Sequence, residues 1–413
     1  MLIAGEKIGL DKLDRLIVVG AGKAGAGMAT AIETQLESIL GERLEGWVNV
    51  PADCVKPLKR IHLHAARPAG LNEPTAEGVR GAEEILKLVR SATSRDLILV
   101  LISGGGSALL PAPVAGISLE DKQEVTRFLA AAGAPIEELN QVRRTLSSIK
   151  GGGLARNAAN SGWIISLIIS DVIGDPLEVI ASGPTVETHD SPQRALEILR
   201  NRTDENHQPP AAIMDWLEQH LTSETQISFP TQVQNHLIGT NSVALQAAAE
   251  EALNRGYQII SLGSNLCGEA AGNGRDLMKQ LLSLREGAPE QLPVCLLSGG
   301  EPTVTIKPSS KPRKGGRNQE LVLAALDLVQ ADDLQRVVLL SGGTDGEDGP
   351  TDAAGGFIDE AVRQEMLKQN LDPTEFLAIN NSYPILEATG GLLKTGPTHT
   401  NVMDLRVGLV DAP

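Results

Sequence analysis

Six short apolar runs, each closed by a loop rich in Gly, Ser or Asp, limit what this chain can fold into. They are LIVVGAGKAG (16–25), LILVLISGGGS (97–107), WIISLIISDVIGD (163–175), YQIISLGSN (257–265), VCLLSGGEPT (294–303) and VVLLSGGTDG (337–346). Apolar stretches without polar alternation read as strands buried on both faces, which predicts parallel sheet. Amphipathic helical stretches lie between them, at 28–40, 75–90, 119–132, 242–255, 275–284 and 318–329. Strand and helix in alternation give an α/β fold with doubly wound sheets. Such sheets bind ligands outside the carboxyl ends of their strands, where the Gly and hydroxyl residues of this chain gather. The polar stretch NRTDENHQPP (201–210) and the segment up to His236 interrupt the alternation, so two domains are expected, 1–235 and 236–413.

The length of 413 residues suits two or three domains. A net charge of −16 repels phosphate backbones and anionic lipid, which argues against nucleic-acid and membrane partners. A local basic pocket for a small anion remains compatible with it. Aromatic residues are only 2% of the chain, so the cores must be Leu, Ile, Val and Ala, and base-stacking platforms are lacking. Cys54, Cys267 and Cys295 are far apart and form no CxxC pair, which fits a reducing cytoplasm better than a disulfide framework or zinc site. The first residues carry no apolar targeting core, and runs such as LILVLI are too short to span a membrane.

The loops carry the chemistry. Gly20-Ala21-Gly22-Lys23-Ala24-Gly25 has dinucleotide-fingerprint spacing, yet no acidic residue clearly ends a second strand beyond it. Lys23 reads either as a cation aimed at an anion beside a helix start or as a solvated turn lysine. Ser103-Gly104-Gly105-Gly106-Ser107 offers backbone N–H groups to an anion. Asp171, Glu301 and Asp345 each stand at an expected strand end, as Mg²⁺ ligands, a base or plain turn formers. Gly316, Arg317 and Asn318 open a helix; a basic residue is unfavourable there, so Arg317 is expected to answer an anion. Thr398 and Asn401 supply a hydroxyl and an amide, Asp348 and Asp352 are metal ligands or turn formers, and His62 and His64 lack a third metal ligand. Anion loops, one Lys, one Arg and several carboxylates form the kit of phosphoryl transfer.

The motifs VVGAGKAGAGMA, LISGGGSALLPAP, NQVRRTLSSIKGGGLA, SDVIGDPLEVIASGPT, LSGGEPTVTI, GGRNQELVLAAL, SGGTDGEDGPTDAAG and TGPTHTNVMDLRV, in this order, resemble the glycerate 2-kinases with a C-terminal MOFRL domain. The resemblance runs from about residue 16 to 408. It implies an N-terminal Rossmann-like domain, a C-terminal α/β MOFRL domain and an active site in the cleft between them. It also implies ATP- and Mg²⁺-dependent phosphorylation of D-glycerate to 2-phosphoglycerate. Lys23 and Arg317 match the family's active-site lysine and arginine, and Lys150 falls in a matching motif. On this reading Lys23 meets charge on the transferred group, while Arg317 uses its planar fork to orient glycerate's carboxylate or a phosphate oxygen. The family's GHP appears here as Ala66-Arg67-Pro68, and GGRL after Lys150 as GGGL. The helix that precedes the first strand in relatives is nearly absent, as a shortened N-terminus would leave it. An NAD(P)H-dependent hydroxypyruvate reductase is the alternative reading, and homo-oligomerisation is left open.

Overall fold

The computed structural model describes residues 2–412 except 4, 10, 11, 72, 205–207, 222–228, 231, 288–292 and 330–333. The chain forms two compact units, Met1–Ile169 with Asp175–Ile238, and Ser170–Gly174 with Gly239–Pro413. The loop carrying Asp171 thus sorts with the second unit, although the strand before it belongs to the first. The polar segment before the expected division at 235/236 belongs to the first unit. It contains a helix, Ala211–Gln219, whose Ile213 and Leu217 are fully buried among Val125, Leu129, Leu196 and Leu199. Polar residues around a short amphipathic helix masked that stripe.

Beside a short antiparallel pair, Leu2–Ile3 with Glu6–Lys7, the main sheet of the first unit has the strands β1 (Leu16–Ala21), β2 (Leu44–Pro51), β3 (Ile61–Arg67), β4 (Leu97–Ile102), β5 (Trp163–Ile169) and β6 (Val233–Gly239), in the order β3-β2-β1-β4-β5-β6. β1 to β5 pair in parallel, with Leu16 opposite both Leu44 and Leu97. This is the Rossmann order expected of a doubly wound sheet, and every residue of β1 and β4 is buried. Helices α1 (Gly25–Leu40) and α2 (Ala76–Arg90) pack on the sheet; Thr75 caps α2 by accepting from Gly78 N–H at 3.0 Å. Further on, α3 (Leu119–Ala131) begins with a capping box between Ser118 and Asp121, and α4 (Ile136–Thr145) follows it.

The second unit departs from the all-parallel expectation. Its strands β7 (Gln258–Ser261), β8 (Val294–Gly300), β9 (Val337–Gly343), β10 (Gly355–Ile358), β11 (Leu392–Leu393) and β12 (Asp404–Val410) take the order β11-β10-β9-β12-β8-β7. Only β7 and β8 pair in parallel; β12 lies antiparallel between β8 and β9. Two-sided burial is real here but does not fix strand direction. Cys295 and Leu297 face helix α5 (Asn241–Asn254), whereas Leu296 packs with α6 (Ala270–Glu286) and α7 (Arg317–Leu328). Helix α7 is buried without a break from Asn318 to Leu326, so it is a central helix with no solvent face along that stretch. Among the described residues no helix is long and apolar enough to cross a membrane.

Candidate functional site

In the first unit the strand order reverses between β1 and β4, so the loops leaving these two strands diverge and open a crevice at their carboxyl ends. Those loops are the Lys23 loop and the Ser103–Ser107 loop. They are stapled together: Lys23 N–H donates to the Gly104 carbonyl at 2.9 Å, and Ala24 N–H donates to Ser103 Oγ at 3.0 Å. Ser103 is 1% exposed, and its hydroxyl serves this internal bond just before α1. Gly22 must be glycine, since at φ +145° its Cβ would stand 2.0 Å from Ser103 Oγ. The N–H groups of Gly104 and Gly105 meet no acceptor among the described residues, as an anion cradle requires. Lys23 and Arg67 flank that cradle, with Lys23 Cγ and Arg67 Nη2 4.0 and 3.0 Å from the place of a Gly105 Cβ.

Beyond Gly106, Ser107 is the acceptor for two cations. Lys150 Nζ donates to Ser107 O at 2.9 Å and Oγ at 2.7 Å, and Arg143 Nη2 donates to Oγ at 3.3 Å. Ser107 Oγ also lies 3.0 Å from Ser182 Oγ. Ser182 and its neighbour Ala181 have φ of +63° and +50°, a strained conformation for residues with a Cβ and one that collects at functional sites. Burial pushes the Lys150 amine well down, with Arg143 and Lys122 adding repulsion.

The second unit gathers opposite charge. The β12 register sets Asp404 beside both Gly300 and Gly343, at the ends of the two SGG strands. There it takes a two-pronged ion pair from Arg317, Nε to Oδ2 at 2.7 Å and Nη2 to Oδ1 at 2.8 Å, while Nη2 also reaches Glu301 at 3.2 Å. The anion that Arg317 answers is therefore inside the chain. Its fork is engaged on Asp404, and Nη1 is the nitrogen left to meet a ligand, which corrects the expectation of a paired grip on substrate. Burial would lower the Arg317 pKa, but Asp404 and Glu301 hold it above the usual value. Glu301 is pushed up by burial and by the charges of Asp404, Asp171 and Asp345, against the pull of Arg317. Glu301 thus feels both of the other carboxylates picked from sequence. Among the described residues no three of them bring their oxygens within 4.8 Å of one another.

Several expected contacts serve the scaffold. Asp348 is 1% exposed and accepts from Asn318 and Gln319 N–H at 3.0 and 2.9 Å, capping α7 from another loop. Gly316 leaves room for it, since a Cβ there would lie 2.3 Å from Asp348 Cγ. Burial raises the Asp348 carboxyl to about 6. Asn318 Oδ1 accepts from Ser341 Oγ at 2.5 Å, in the core. Thr398 donates through N–H to Asp345 O at 3.0 Å and through Oγ1 to Thr344 O at 2.6 Å; Asn401 Oδ1 accepts from Met403 N–H at 2.8 Å. Asp352 is a surface partner of Lys314, Lys394 and Tyr383. His62 and His64 pack their rings on Trp47, at 4.1 and 5.3 Å between centroids.

Residues 3–218 match a family described as a domain of unknown function, DUF4147, and residues 294–404 match the MOFRL family. The chain is 39% identical to a glycerate kinase of Danio rerio, across 96% of this chain and 89% of that protein. It is 38% identical to a glycerate 2-kinase of Pyrococcus horikoshii, across 96% and 87% respectively. A crystal structure of a glycerate kinase from Thermotoga maritima matches with a TM-score of 0.85 and 34% identity, over 96% of this chain and 92% of that one. The chain belongs to the glycerate 2-kinase family.

Sequence reasoning missed three charged residues at or near the strand ends of the two units, one in the first and two in the second. Arg67 drew notice only because it replaces a family histidine, and it ends β3 beside the Gly105 cradle. Asp404 appeared only as the end of a loop motif; the alternating burial of DLRVGLV, which makes it the first residue of a strand, went unread. Arg406, fully buried on the same strand, donates to Gly300 O at 3.0 Å and lies 3.6 Å from Asp404; burial lowers it to about 10.

Proposed function

We propose that this member of the glycerate 2-kinase family transfers the γ-phosphoryl group of ATP, with Mg²⁺, to the 2-hydroxyl of D-glycerate. The observation that carries the reading is the group at the first unit's strand-order reversal: two open glycine N–H groups flanked by Lys23 and Arg67. Phosphoryl transfer through a loose transition state asks mainly for positioned donors and cations around the equatorial oxygens. Lys23 and the Gly104 and Gly105 amides meet those oxygens. Asp171 and Asp345 would hold Mg²⁺, which would supply positive charge to offset that of the phosphates. Glu301, made more basic by burial and by the neighbouring carboxylates, takes the proton of the attacking hydroxyl. Arg317 fixes Glu301 and Asp404 and turns Nη1 to glycerate. A reducing, cytoplasmic setting belongs to the same proposal; no disulfide forms among the described residues.

The reductase alternative is weaker. A Rossmann dinucleotide site places an acid at the end of the second strand for the ribose. Here β2 ends in Asn49-Val50-Pro51, and Asn49 is buried, donating to Leu109 O at 2.8 Å and accepting from Trp47 Nε1 at 3.2 Å. The test is a pair of assays on the purified chain. ATP consumption with Mg²⁺ and D-glycerate is expected; NADH oxidation with hydroxypyruvate and no ATP consumption would overturn the reading.

A further inference from the structure

Behind Ser107 the first unit holds a half-open cavity of about 480 Å³ lined by residues of α3 and α4. Four basic side chains line it, Lys122 and Arg127 of α3, Arg143 of α4 and Lys150, against one carboxylate, Glu73. In a chain of net charge −16 this is a local inversion of sign. Among the described residues none of the four basic groups makes an ion pair. Lys122 Nζ donates to the carbonyls of Arg143 and Leu146 at 3.2 and 2.8 Å, Lys150 and Arg143 donate to Ser107, and Arg127 Nε donates to Gln123 O at 3.4 Å. Burial and the neighbouring Arg143 bring Lys122 down to about 7, and burial also lowers Arg143. Cations gathered in a cavity without carboxylate partners raise one another's cost, and that arrangement is kept where an anion completes it.

We propose that this cavity seats the phosphoryl donor by its triphosphate chain, with Lys122, Arg143 and Lys150 as the paired cations. The cavity is far larger than one phosphate, and its volume is in the range that holds a nucleotide-sized ligand. Ser107 joins it to the glycine cradle, so a chain of phosphates lying along the cations would end at Gly104 and Gly105. The inference rests on the reading that the donor is a nucleoside triphosphate.

Calorimetric titration of the full chain, without glycerate, tests it with ATP, AMP, inorganic tripolyphosphate and 2-phosphoglycerate. ATP and tripolyphosphate are expected to compete, with AMP at least tenfold weaker. Arg143→Gln and Lys122→Met should each weaken ATP at least tenfold while thermal unfolding stays cooperative, and Arg143→Lys should recover part of the loss. Undiminished ATP affinity in both folded variants would overturn the proposal. So would 2-phosphoglycerate binding as tightly as ATP, since the cavity would then be a product site. Because no glycerate is present, these outcomes stand whether or not the chain consumes ATP with glycerate, and the two claims fail separately.

Discussion

Two cationic groups, one in each unit, show opposite circumstances. Arg317 in the second unit is locked on Asp404 and Glu301, and those carboxylates hold it firmly charged. Lys150 and Lys122 in the first unit have hydroxyl and carbonyl acceptors only, and burial drives both amines down. A cation matched inside the chain is built in before any ligand arrives. A cation left with neutral acceptors in a cavity has its natural partner outside the chain. On the proposed reading the first unit supplies cations to phosphate, whereas the second unit's cation is already matched by its own carboxylates. The sheets differ in step: parallel strands in the first unit put glycine loops at one edge, whereas antiparallel β12 in the second inserts Asp404 between two glycine ends.

The sharpest way to break this contrast is Lys23→Ala. It should lower kcat by roughly 10³-fold, the loss expected when a donor to the transferring group disappears. A loop lysine contributes little to folding, so the melting temperature should hold. Arg317→Lys keeps charge but loses the fork, releasing Asp404 and Glu301, and should lower kcat about 10²-fold. Asp404→Asn should reproduce most of that loss if Arg317 works as a braced unit, and should be nearly silent if Arg317 acts alone. Asp345→Asn should cost about 10-fold at saturating Mg²⁺ and raise the Mg²⁺ needed for half activity. Full activity at low Mg²⁺ removes Asp345 from the metal set.

The smallest effect is on stability. The Lys122 pKa is lower folded, about 7, than its ordinary value of 10.5. Between these values the unfolded chain binds more protons, so wild-type stability rises with pH through that window. Lys122→Met lacks this dependence and should be the more stable form at pH 7, by on the order of 1 kcal/mol or more. Denaturant unfolding at pH 7 and pH 9 should show the gap closing; an unchanged gap would mean that the amine is not desolvated.

The first unit was largely legible because parallel strands buried on both faces and glycine loops at their ends leave a strong local imprint. Lys23 and the Gly104–Gly106 loop could be picked from that imprint and Lys150 only from its family motif, whereas the basic cluster around Ser107 depends on how α3 and α4 pack. In the second unit the strands were legible but their directions were not, since the burial of VCLLSGG and VVLLSGG is the same for either sense. Asp404 was hidden for that reason: its importance comes from the β12 register. Ser103, Asn318, Thr398 and Asn401 show the converse, since polar residues in a promising loop serve as its internal bonds.

The central claim is that the chain moves a phosphoryl group onto the 2-hydroxyl of glycerate. Phosphorus NMR of the product formed from ATP, Mg²⁺ and D-glycerate reads this directly through proton coupling. The account predicts a phosphomonoester split as a doublet by the single C2 proton, appearing as ADP accumulates and absent with Lys23→Ala. A triplet from the C3 methylene would place the phosphate on the wrong hydroxyl. No ester at all, alongside NADH-dependent turnover of hydroxypyruvate, would contradict the account outright.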